Sequence, residues 1–191
     1  MPKFNDSERL IINDLLLENG EQLFTAFGLK KVTVSDLAKS ANISKGSFYA
    51  FYPSKEHLYM TINFSMQQAI FAEMNDELAK HRSMETEKLT LYIFKWMFEK
   101  VKEYPLLLNM DNETIQHLLR RLPKKFMDAH TLDDAKMIDN LKKYGIVFRS
   151  ETVVIAKVVQ GIFSCTKLFM NDTDGDKVLT ILLEGLVNQL V

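Results

Sequence analysis

Thr33-Val-Ser-Asp-Leu-Ala-Lys-Ser-Ala-Asn-Ile-Ser-Lys-Gly-Ser-Phe-Tyr-Ala-Phe-Tyr-Pro-Ser-Lys55 is the stretch that decides the fold. It reads as two short helices and a corner. Thr33 is placed to cap a helix from Val34 to Ser40, with Asp36 near the positive end of its dipole. Ala41 is small enough for two helices to approach, and Asn42 tolerates a positive φ. Ser44 caps a second helix, predicted over Lys45–Phe51, which Pro53 prevents from continuing. So short a helix does not stand alone. Phe48 with either Phe51 or Tyr52 supplies its buried side, leaving Lys45, Gly46, Ser47, Tyr49 and Ala50 outward. A low, donor-rich surface of this kind fits a nucleic-acid groove.

Working outward, residues 7–27 predict a helix capped by Ser7, with Leu10, Ile11, Leu15, Leu16, Leu23, Phe24 and Phe27 in a broad apolar stripe. Gly20 inside it implies close helix packing, and Gly28 a positive-φ stop. After the corner, Leu58, Ile62, Met66, Ile70 and Met74 recur at i+4 from a cap at Ser54 to about Lys80. No glycine or proline interrupts that run, which predicts a stiff lever of roughly 40 Å at 1.5 Å per residue.

The run Phe24, Gly28, Thr33-Val34, Leu37-Ala38, Ala41 to Tyr49, Ser54-Lys55-Glu56 and Leu58 resembles the N-terminal signature of tetracycline-repressor (TetR) type regulators. The resemblance covers roughly the first 60 residues. It departs at Asn42, where the family has glycine, and at Phe51-Tyr52, which leaves open which ring is buried. It implies that Lys45 and Ser47 read base edges, that Gly46 lets the backbone come close, and that Thr33, Ser44, Tyr49 and Lys55 hold phosphates.

Net charge is −1, but its distribution is uneven. Residues 30–55 carry Lys30, Lys31, Lys39, Lys45 and Lys55 against Asp36 alone, so positive charge sits where phosphates would lie. The start of the sequence has no signal peptide, and no apolar run is long enough to span a membrane. The single cysteine, Cys165, excludes an internal disulfide and suits the cytoplasm.

The remainder predicts further helices over 86–104, 112–121, 123–129, 131–144, 150–170 and 176–190. The last two are apolar on more sides than one small domain can bury, and each holds a mid-helix glycine, Gly161 or Gly185. A symmetric four-helix interface with a second copy, through 150–170 and 176–190, accommodates both features. Tyr92, Trp96 and Glu99 fall on one helical face, and with Met110, Phe126, Phe148 and Phe163 form the expected lining of a small-molecule site. Such a stripe is more often plain core. The four histidines are scattered, no metal or P-loop spacing is present, and neither a catalytic centre nor a cofactor is expected.

The sequence therefore predicts an all-α protein. A three-helix helix-turn-helix DNA-binding domain (1–53) precedes a helical ligand-binding and dimerisation domain (54–191). The expected function is a homodimeric repressor that binds a palindromic operator and is released by a small apolar effector. The rivals are a regulator of the same fold that takes no small molecule, or acts as an activator, and an all-helical carrier or enzyme.

Overall fold

The computed structural model describes residues 4–169 and 172–191, without the side chains of 128–134 and 163–167. Among the described residues there are helices and no strands: α1 (Asp6–Lys31), α2 (Val34–Ser40), α3 (Lys45–Phe48), α4 (Lys55–Lys80), α5 (Thr86–Val101), α6 (Pro105–Leu108), α7 (Asn112–Arg121), α8 (Lys124–Lys142), α9 (Thr152–Phe169) and α10 (Gly175–Leu190). Two compact units result. One joins residues 1–67 to 105–124, and the other joins 68–104 to 125–191. The division falls inside α4, not at the 53/54 boundary that the sequence suggests, because the segment carrying α6 and α7 belongs with the head.

In the first unit, α1 starts at Asp6, one residue ahead of the predicted range. Asn5 is the cap: its side chain accepts from the Glu8 N–H at 2.9 Å, and Glu8 returns the bond at 2.8 Å. The buried row is Leu16, Gly20 and Phe24. Leu10 and Ile11 lie off that row at 100° per residue and are exposed, contrary to the predicted stripe. Phe27 is exposed too and lines an open surface groove with Leu23, Lys31, Val32 and Asp36. Gly28 has φ 76 and ψ 159, a region essentially reserved for glycine, but the helix resumes for another turn beyond it. The stop at Gly28 is thus a kink. Leu58, Ile62 and Met66 of α4 are buried as their spacing predicts. Beside them, a Cβ on Gly20 would lie 3.1 Å from Ile62 Cδ1, the close packing that glycine foretold.

In the second unit, α5, α8, α9 and α10 enclose a core that includes Ile93, Phe94, Met97, Phe98, Ile138, Leu141, Ile155 and Leu183. The helices predicted over 123–129 and 131–144 are one helix, α8, since neither glycine nor proline interrupts the sequence between Pro123 and Gly145. The aspartates before α10 do not cap it with their side chains. Asp174 turns to Lys177 at 3.0 Å, while Asp172 accepts from the Asp174 N–H. No helix among the described residues is long and apolar enough to cross a membrane.

Candidate nucleic-acid interface

The reading segment is built from reciprocal caps. The Thr33 hydroxyl accepts from the Asp36 N–H at 3.2 Å, while the Asp36 carboxylate accepts from the Thr33 hydroxyl at 2.7 Å and the Thr33 N–H at 2.9 Å. Those two bonds, the hydroxyl first, hold the Asp36 carboxyl below the ordinary aspartate range. At the other end of α2, Asn42 has φ 54. The Asn42 N–H bonds Lys39 O at 3.1 Å and the Ile43 N–H bonds Ala38 O at 2.9 Å, closing the helix in the pattern that glycine commonly serves. Asn19 of α1 adds an outside donor, bonding Ser40 O at 2.8 Å.

α3 is a single turn, shorter than the two-turn helix expected. Past Phe48 the Ala50 and Phe51 N–H groups bond carbonyls three residues back, which tightens the chain into turns ahead of Pro53. Phe48 is fully buried and stacks edge-on against Tyr49 at 5.7 Å. Tyr52 is the buried member of the aromatic pair, and its hydroxyl donates to Asn13 Oδ1 at 2.7 Å. Burial, aided by the Asp14 charge, pushes the Tyr52 hydroxyl above its ordinary pKa.

The expected contact residues part into three groups. Lys45, Gly46 and Tyr49 face outward, Tyr49 with 50% of its surface exposed. Around Gly46 only the Ser44 hydroxyl lies within 4 Å of where a Cβ would be, so the approach to its backbone is open. Thr33 and Ser44 are exposed while their hydroxyls serve the caps. Ser47 and Lys55 depart from expectation. Ser47 is 3% exposed, its hydroxyl 2.8 Å from that of Ser44 and its N–H bonded to the same oxygen at 3.1 Å, so it completes a cap. Lys55 Nζ donates to Leu29 O and Val32 O at 2.7 Å and Lys30 O at 3.3 Å. Those carbonyls end α1 past its kink and have no helical partners, which is what an ammonium with three donors satisfies. Burial lowers the Lys55 pKa, against the pull of Glu56.

Next to Lys55, Glu56 bonds His117 Nε2 of α7 at 3.0 Å. Neither this link nor that of Arg9, whose guanidinium donates to Ala50 O at 3.2 Å, is signalled by neighbouring residues.

The residues expected to line a ligand site are only partly together. Tyr92 and Trp96 pack half-buried against the core cluster that includes Phe148. The Tyr92 hydroxyl is taken by Glu77 at 2.8 Å. Glu99 is exposed and pairs with Lys102 at 2.7 Å. Phe126 is half-buried, Met110 belongs to the first unit, and the side chain of Phe163 lies outside the described residues. Between α5, α9 and α10, a cavity of about 10 Å³ is lined by Phe94, Met97, Phe98, Val159, Ile162, Leu183 and Leu186. Among the described residues no three His, Cys, Asp or Glu side chains are grouped to hold a metal.

Residues 16–61, which contain the capped corner and the reading turn, match the profile of "Bacterial regulatory proteins, tetR family". Over these residues the chain is similar to the N-terminal, DNA-binding part of tetR-family regulators. The uncharacterized HTH-type transcriptional regulator YhgD of Bacillus subtilis is 32% identical over 96 residues, covering 42% of this chain and 50% of that protein. The chain thus spans about half the length of this curated relative. Two solved structures share the fold over nearly the whole chain. RolR in complex with resorcinol has a TM-score of 0.65 at 12% identity, covering 95% of this chain and 90% of its own. The TetR-family repressor FadR of Thermus thermophilus, in complex with lauroyl-CoA, has a TM-score of 0.58 at 19% identity, covering 92% and 91%.

Proposed function

We propose that this chain is a TetR-family regulator that represses transcription as a homodimer, inserting the Lys45-Gly46-Tyr49 face of each α3 into the major groove of a palindromic operator. The observation that carries the reading is this exposed, cationic single turn, immobilised from behind by Phe48, Tyr52 and two serine hydroxyls. Lys45 reads base edges, the backbone at Gly46 approaches the groove wall, and Tyr49 holds a phosphate, with Thr33 and Ser44 offering exposed caps beside it. Ser47 and Lys55 act indirectly by fixing α3 and the end of α1.

Dimerisation runs through α9 and α10. Val153, Val154, Leu168, Ile181 and Leu182 are exposed on them, and among the described residues nothing outside the helix's own backbone lies within 4 Å of a Cβ at Gly161 or Gly185. Selection of duplexes from a random pool tests the whole reading. The expected product is an inverted repeat with half-site centres about 34 to 36 Å apart or a little more. Unrelated single half-sites would refute the dimeric arrangement.

Release by a small apolar effector is the proposed signal, RolR being solved with resorcinol and FadR with lauroyl-CoA. Tyr92, Trp96, Phe126 and Phe148 are the proposed lining within the second unit, and the signal reaches the head through α4, which both units share. Glu99 and Phe163, of the same unit, complete the proposed lining. The tight α5–α9–α10 packing favours a second reading, a regulator that takes no small molecule. Titration with lauroyl-CoA and with resorcinol separates the two. An effector at a hundred times its Kd stabilises by about 2.7 kcal/mol, whereas a protein without a site shows no shift in Tm.

A further inference from the structure

The residues ahead of the family match make a contact that the reading turn needs. α3 has one turn, so its C-terminal carbonyls have little helix to draw on for partners. Arg9, on the second turn of α1 and outside the matched residues 16–61, donates Nη2 to the Ala50 carbonyl at 3.2 Å. Its guanidinium carbon stands 5.0 Å from the centroid of the Phe51 ring, and Phe4 packs on the same ring at 5.8 Å. The Asn5–Glu8 capping box fixes the turn that carries Arg9 and Phe4. One side chain therefore satisfies a carbonyl just past α3 and clamps the next residue by its face. A planar guanidinium does both at once, while a lysine ammonium is a point charge without the flat surface.

We propose that Arg9 is a positioning residue for DNA recognition: with Phe4 and Phe51 it braces the far end of α3 and so fixes the angle at which Lys45 and Tyr49 are presented. The proposal rests on the DNA-binding reading above. A brace affects selectivity, because discrimination between bases depends on exact placement while attraction to phosphates does not. A phosphate contact would do the reverse.

The test uses the full chain, a duplex obtained by selection with the wild-type protein, and an unselected duplex of equal length. Arg9→Ala is expected to lower affinity for the selected duplex by about five- to tenfold, the size of one exposed cation–π contact and one carbonyl hydrogen bond. Affinity for the unselected duplex should change less than twofold, and the salt dependence should keep its slope. Arg9→Lys, which preserves charge, should lose most of the selectivity as well. In DNA-free protein, amide exchange at Ala50–Tyr52 should quicken in both variants with Tm little changed. Equal losses on both duplexes with a slope reduced by about one phosphate, rescued by Arg9→Lys, would make Arg9 a backbone contact and overturn the proposal. So would unchanged exchange at Ala50–Tyr52. If the wild-type protein binds no duplex, the DNA-binding reading fails and this inference with it. If the wild type binds and Arg9→Ala matches it, the inference alone fails.

Discussion

Gly20 and Gly185 carry the same sequence signal, a glycine in the middle of an apolar helix, and meet opposite surroundings. At Gly20 a Cβ would sit 3.1 Å from Ile62 Cδ1 and 3.3 Å from Leu58 Cδ2, so the head uses its glycine within the chain. At Gly185, and at Gly161, nothing among the described residues comes within 4 Å apart from the helix's own backbone. The apolar residues agree: Leu16, Phe24, Leu58 and Ile62 are buried in the head, whereas Ile181 is 69% exposed on α10 and Leu168 is 74% exposed on α9. A helix tolerates a glycine at a cost of about 1 kcal/mol relative to alanine, and in the head close packing offsets that cost inside one molecule. On α9 and α10 the described residues supply no such packing at the glycines.

Breaking the head from within should have the largest effect. Phe48→Ala removes the buried ring that holds α3 and is expected to cost about 3 to 5 kcal/mol in urea unfolding and to abolish selective DNA binding. The body responds differently if its open face is an interface. Ile181→Arg should leave monomer secondary structure intact by circular dichroism yet weaken dimerisation by about 2 to 5 kcal/mol, visible as monomer in sedimentation at micromolar concentration. The glycines give the sharpest contrast. Gly20→Val overpacks the head by about 1 to 3 kcal/mol at any protein concentration. Gly185→Ala should stabilise a dilute, monomeric chain by up to about 1 kcal/mol and destabilise the dimer, so its effect changes sign with concentration. A Gly185→Ala effect independent of concentration would erase the distinction between the two regions.

What was legible in the sequence was local. The Asn42 corner and the Ser54-to-Lys80 run with its i+4 stripe each depend on residues within a turn of one another, and both are present. What was not legible were contacts whose partners lie far along the chain. Tyr52 finds Asn13, Lys55 finds the carbonyls at 29, 30 and 32, and Glu56 finds His117, 61 positions away. Nothing in the neighbourhood of Lys55 distinguishes an ammonium that meets phosphate from one that closes a helix end. Ser47 is a different case, since a hydroxyl three residues after a capping serine is a local signal for a completed cap. The family pattern instead puts that position on the reading surface, where the structure has a buried hydroxyl.

The Glu56–His117 contact offers the smallest and most specific check on whether α7 is part of the head. Burial by itself pushes the Glu56 carboxyl upward. Hydrogen bonds from His117, its own backbone and Ser54, with the Lys55 charge, outweigh that and hold it below the ordinary glutamate range. A carboxylate with a lowered folded-state pKa stabilises fully above its unfolded value, near 4.5, and the contribution disappears as pH falls through the folded value. Glu56→Gln should therefore cost about 1 kcal/mol at pH 7, the scale of one partly shielded hydrogen bond to a charged acceptor. The gap between variant and wild type should narrow steadily in urea unfolding as pH drops below about 4.5. A gap that persists undiminished to pH 3 would mean that the carboxylate charge is not what the glutamine variant lacks.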